Sequence, residues 1–171
     1  STLFPSHVRP QFGIFVGRQT RALTQRDGID LYAVNPIGLP LWPLDQISRF
    51  RTLAKSRAVD DWNQVRVLRP RFRTIPRIAT TRNPMAIAKA ALPQLRKLHA
   101  AKPFDLIAAE FFYPDGPAAH IIARELGIPF TIKARGADIH YWGAQDGCRE
   151  QMIAAADAAA GMLSVSAALR D

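Results

Sequence analysis

Four short stretches of this 171-residue chain hold the residues best suited to chemistry, and three of them set a charged or histidine side chain near a glycine. His7 and Arg9 precede Gly13, Asp115 precedes Gly116, Arg135 and Asp138 flank Gly136, and Ser164 and Ser166 stand two residues apart. A glycine in such a loop permits a positive φ or lets backbone come close to a ligand. An arginine beside it offers a planar fork that matches phosphate or carboxylate oxygens. Any one of these loops is also ordinary turn chemistry. Their significance depends on whether the fold brings several to one place.

Other chemistries find no support. No G-x-G-x-x-G follows an apolar run and no P-loop lysine pattern occurs, which argues against dinucleotide and P-loop enzymes. The four histidines are scattered and Cys148 is the single cysteine, so neither a metal site nor an internal disulfide is expected. Ser164 and Ser166 lack a nucleophile elbow. No bound cofactor is implied.

The elements that must position these loops can be read from periodicity and punctuation. Ile14 to Arg26 has an apolar stripe at helical spacing, ended by Asp27-Gly28. Ile29 to Val34 reads as a strand, and Pro36 to Pro43, with three prolines, reads as an exposed loop. Gln46 to Ala58 reads as a short basic amphipathic helix with Ile47, Phe50, Leu53 and Ala54 on one face, and Val65, Val67 and Leu68 as a strand. Asn83-Pro84 opens a helix with Ile87, Leu92, Leu95 and Leu98 inward and a kink at Pro93.

Beyond it the pattern is most regular. It runs strand Phe104–Ala109, helix from Asp115-Gly116-Pro117 to Leu126 with Gly127 as its stop, and strand Pro129–Lys133, then helix Arg149–Ala160 and strand Met162–Val165. This β-α-β-α-β order predicts an α/β fold with a Rossmann-like, doubly wound, mainly parallel sheet and helices on both faces. In such a sheet ligands gather beyond the C-terminal strand ends, which is where all four loops are expected.

Length and composition suit one globular domain, 48% hydrophobic and 22% charged. No apolar run reaches the roughly 20 residues of a spanning helix. The formal charge of +9 is uneven: Gln46 to Lys102 holds fourteen of the 23 basic residues but only Asp60 and Asp61 of the 14 acids. That stretch is either a solvated arginine-rich face or a surface attracted to phosphates of a lipid, a nucleic acid or an anionic substrate.

Taken in order, Leu3-Phe4-Pro5, Pro10-Gln11-Phe12-Gly13-Ile14-Phe15-Val16, Tyr113-Pro114-Asp115-Gly116 and Lys133-Ala134-Arg135-Gly136-Ala137-Asp138-Ile139 resemble the N-terminal domain of family 4 glycosyltransferases. These are retaining enzymes of the GT-B fold that build polysaccharides and glycolipids. The resemblance implies that residues 1–171 form one acceptor-side Rossmann-like half, and that a donor-binding domain follows beyond Asp171. It places His7, Arg9 and Gly13 in the loop against the donor's diphosphate and Arg135 and Asp138 near the transferred sugar. Tyr113, Asp115 and Gly116 would wall the acceptor side, while Gly136, Ser164 and Ser166 would line the cleft. Arg135 stands where many relatives have histidine.

The resemblance further implies a nucleotide-sugar donor gripped together with the absent domain and a glycan or lipid-linked acceptor. The setting would be cytoplasmic, peripheral on the inner face of the membrane where the basic stretch meets anionic lipid. The alternative is a stand-alone binding module for a phosphorylated ligand or a partner protein. Trp42, Phe50, Trp62 and Phe72 could stack on bases, yet no reader motif is present and nucleic acid is not the expected partner.

Overall fold

A computed structural model describes residues 1–75 and 80–169, and divides into two compact units, Ser1–Pro76 and Arg77–Asp171. Mainly parallel sheets flanked by helices make up both, as the β/α alternation predicts.

In the first unit α1 (Ile14–Thr24) follows the N-terminal segment, and β1 (Ala33–Val34) pairs in parallel with β4 (Val65–Leu68). Phe4, Val16, Ala33, Val65 and Val67 form the core, with Leu3, Leu31 and Trp62 against it. β3 (Val59–Trp62) joins β4 as an antiparallel hairpin. Its two-residue turn, Asn63-Gln64, has positive φ at both positions, the geometry that matches strand twist. The sequence concealed this strand, because Asp60 and Asp61 interrupt its apolar content and its turn lacks glycine. Of the expected strand Ile29–Val34, only Ala33–Val34 pairs.

The segment expected to be a proline loop is partly a strand. β2 (Ile37–Pro40) runs parallel to β5 (Arg71–Thr74). The ladder continues across the break from β1 and β4, since Asn35 N–H donates to Leu68 O at 2.8 Å and Ile37 N–H to Pro70 O at 2.9 Å. Pro36 and Pro70 fall at this break, where each removes a donor, and Pro40 falls at the end of its strand. The prolines thus divide a ladder rather than prevent one. A 3-10 turn at Leu44–Gln46 leads into α2 (Ser48–Ala54), shorter than the basic helix expected there.

Arg69 lies beside that break and is buried. Its Nη2 donates to Pro5 O at 2.7 Å, and its Nη1 stands 3.3 Å from an Asp60 carboxylate oxygen. Burial lowers the Arg69 pKa, and the charge of Asp60 opposes that shift.

The second unit begins its helical part with α3 (Asn83–Ala101), which passes through Pro93 as one helix with the proline ring on the exposed side. β6 (Ile107–Ala109), β7 (Phe130–Ala134) and β8 (Gly161–Ser164) form a wholly parallel sheet in that order. The crossovers are α4 (Asp115–Leu126) and α5 (Cys148–Ala158). Gly127 ends α4 in the left-handed conformation at φ 68°, as a helix-stopping glycine should. The core joins Ala109, Phe130 and Ile132 of the sheet to Ala119 and Ala123 of α4 and Met152 and Ala155 of α5.

Candidate functional site

The C-terminal edge of the β6–β7–β8 sheet gathers the densest set of charged groups near the expected loops. Glu110 follows β6 directly, Lys133 lies within β7, and Arg135 follows β7. The Arg135 Nε donates to Glu110 O at 2.6 Å, and its Nη2 meets the Glu110 carboxylate. Lys133 Nζ lies 3.3 Å from the same carboxylate. All three side chains are largely buried, at 12–16% exposure, so solvent screens them weakly. Lys133 and Arg135 both pair with Glu110, and the buried carboxylate of Asp138, on the backbone amide of Arg135, balances the second cation.

A second carboxylate holds the loops of this edge in place. Asp138 is fully buried and accepts hydrogen bonds from Phe112 N–H at 2.7 Å, Arg135 N–H at 2.9 Å and Ile139 N–H at 3.2 Å. Its oxygens therefore tie the turn after β7 to the loop after β6. Gly136, inside that turn, has φ 103°, and a Cβ there would meet only Leu169 Cδ1, at 3.7 Å. Glycine is required at 136 for backbone conformation and not for space. Ile139 and His140 N–H close the turn onto Gly136 O.

Ser164 ends β8 opposite Ala134 in register, and its Oγ donates to Ser166 O at 2.9 Å. Arg135, Gly136, Asp138, Ser164 and Ser166 thus lie at adjacent strand ends. Tyr113, Asp115 and Gly116, in the loop after β6 and at the start of α4, are buried. Tyr113 is fully buried, donates to Thr80 O at 2.8 Å and packs on Trp142 with ring centroids 5.1 Å apart. Burial, then hydrogen bonding and charge interaction with Cys148, push its pKa well above the phenol's usual value. Asp115 is buried in the first turn of α4, and a Cβ on Gly116 would stand 3.1 Å from Ile132 Cδ1.

His7, Arg9 and Gly13 belong to the first unit. Ser6 and Arg9 exchange backbone hydrogen bonds at 3.0 and 3.2 Å, which leaves His7 exposed at the tip of a tight turn. The Arg9 guanidinium lies 3.5 Å from the centroid of the Phe12 ring. Gly13 has φ 67°, and a Cβ there would come within 2.6 Å of Leu3 C and 2.7 Å of Phe4 N. Close packing of the start of α1 on the N-terminal segment therefore explains this glycine by itself.

Glu110 and Lys133 escaped the sequence reading as site residues. A lysine inside a strand with no other charged residue was the available signal at 133. Glu110 could be recognised only once β6 and β7 were known to be neighbours. Among the described residues, no group of three or more His, Cys, Asp or Glu side chains could hold a metal ion.

No protein-family model matches the chain. TuaC of Bacillus subtilis (strain 168), named as a glycosyltransferase of teichuronic acid biosynthesis, is 25% identical over 143 residues. The match takes in 83% of this chain, which spans only 36% of that relative's length. The likeness relates this chain to a glycosyltransferase.

Proposed function

We propose that the chain is the acceptor-side half of a retaining glycosyltransferase of the family 4, GT-B type, acting with a second domain that holds the nucleotide sugar. The observation that carries this reading is the pairing of Lys133 and Arg135 on the single carboxylate of Glu110. It stands at the C-terminal edge of a parallel sheet, in a chain related to a glycosyltransferase. Sugar transfer from a nucleotide sugar releases a diphosphate, and negative charge builds on it as the bond to the sugar lengthens. A guanidinium already fixed beside that bond meets the charge without reorganising.

In this proposal Arg135 contacts the donor's phosphate, and Asp138 is a positioning residue that sets Arg135 through its backbone amide. Ser164, Ser166 and the Gly136 turn border the transferred sugar, and Tyr113, Asp115 and Gly116 support the acceptor side. A glycan or lipid-linked acceptor fits a relative named for teichuronic acid biosynthesis. A cytoplasmic setting belongs to the same proposal.

The test is sugar transfer by the full-length protein, measured with a panel of UDP- and GDP-hexoses. Arg135→Ala should lower kcat/KM by about 100-fold or more. Arg135→Lys, which keeps the charge but not the fork, should fall between. An unchanged rate in Arg135→Ala would remove that residue from the mechanism, and no transfer from any donor would defeat the reading itself.

A further inference from the structure

Lys133 is the one charged residue of β7, and β7 is the central strand of its sheet. Phe130, Ile132 and Ala134 face the core, which puts Lys133 on the opposite face with Thr131. Ala109 pairs with Ile132, so the next level of the ladder sets Glu110 beside Lys133. A charge on a central strand costs desolvation free energy unless it is paired, and Glu110 provides that pair. Yet Glu110 also meets Arg135, so one carboxylate serves two cations.

The two cations are held differently. Glu110 grips Arg135 at two points, with its backbone carbonyl on Nε at 2.6 Å and its carboxylate on Nη2. Two anchors from one residue fix the plane of a guanidinium, and a planar fork matches phosphate oxygens best when its plane is fixed. Lys133 instead straddles the carboxylate, its Nζ 3.4 Å from Oε1 and 3.3 Å from Oε2. The Glu110 side chain is largely buried, so its charge acts strongly at short range and, directed at Arg135 alone, would cancel much of the guanidinium's field. A second cation on the same oxygens divides that charge.

We infer that Glu110 and Lys133 are positioning residues that act through Arg135. The carbonyl and carboxylate of Glu110 set the direction of the guanidinium. Lys133 takes up part of the carboxylate's charge, so that Arg135 keeps its attraction for a phosphate. The inference rests on the reading that sets Arg135 against the donor's phosphate, and it assigns separate effects to the two residues: Glu110 governs aim and Lys133 governs charge.

Donor kinetics of the full-length protein, with the nucleotide sugar that the donor panel selects, test it. Lys133→Met leaves the whole carboxylate charge to Arg135 and should raise donor KM about fivefold or more. Adding Glu110→Gln to that variant removes the charge while keeping an acceptor oxygen for Arg135, and should return KM to within about twofold of wild type. Glu110→Gln alone should leave KM at or below the wild-type value and lower kcat about tenfold, because the guanidinium is aimed less firmly. Damage to the fold alone would make the double variant no better than Lys133→Met, and that result would overturn the inference. So would a wild-type KM in Lys133→Met or a wild-type kcat in Glu110→Gln, each read on variants whose thermal melts show them folded. Should Lys133→Met fail to fold, Lys133→Gln makes the same charge change with a polar end and carries the comparison. Arg135→Ala separates the two proposals. Unchanged transfer in that variant defeats the reading of Arg135, whereas a slow Arg135→Ala beside wild-type kinetics in the Lys133 and Glu110 variants defeats the inference alone.

Discussion

A carboxylate with no solvent exposure and backbone amides on both of its oxygens is built to hold a loop, and Asp138 is such a group. Charge-assisted hydrogen bonds contribute roughly 1.5–3 kcal/mol each, so Asp138→Ala should destabilise the protein by about 3 kcal/mol or more in urea titration. Tyr113 yields a prediction in pH. The unfolded phenol ionises near 10.0, whereas the folded one has a raised pKa and stays protonated. Its stabilising contribution is therefore complete below pH 10.0 and is lost as pH rises beyond it. Tyr113→Phe should flatten the decline in stability above that pH, read from melting temperatures across the alkaline range. A decline of the same slope in the variant would mean that other groups cause it.

The ladders and helices carry their own tests. Asp60→Ala would leave the buried Arg69 guanidinium without its anion, and loss of one partner of a buried pair costs about 3–5 kcal/mol. Denaturant midpoints should show it, and a change under about 1 kcal/mol would place Asp60 among surface charges. Gly13→Ala should destabilise by well over about 1 kcal/mol, since φ 67° and the collision with Leu3 act together. At this scale the sequence was most legible where apolar period and punctuation agreed. Asp115-Gly116-Pro117 and Gly127 bracket α4 within the expected limits, and the alternation of strand and helix from β6 to β8 emerged in order. It was least legible where side-chain type and backbone role part company. Pro36 and Pro40 hid β2, the acids of β3 hid a hairpin, and Glu110 meets Arg135 only through a pairing of strands that no local pattern announces.

For the molecule as a whole, the chain spans 36% of the relative it resembles, and the proposed activity assigns the donor's nucleotide to a second domain. The 171-residue chain by itself should therefore bind nucleotide sugars more weakly than about 1 mM in calorimetry. Micromolar binding would show that the chain holds a complete donor site and would overturn that division of labour. The paired prolines of the first unit carry a last consequence. Pro36 and Pro70 remove amide donors at the same level of two adjacent strands, so β2–β5 is joined to β1–β4 by few shared rungs. Such a crease works like a perforation in a sheet of paper. Exchange of Leu41–Ile47, which follows β2 beyond the crease, should therefore leave β1 and β4 in register, which offers a route to alter that loop without redesigning the interior.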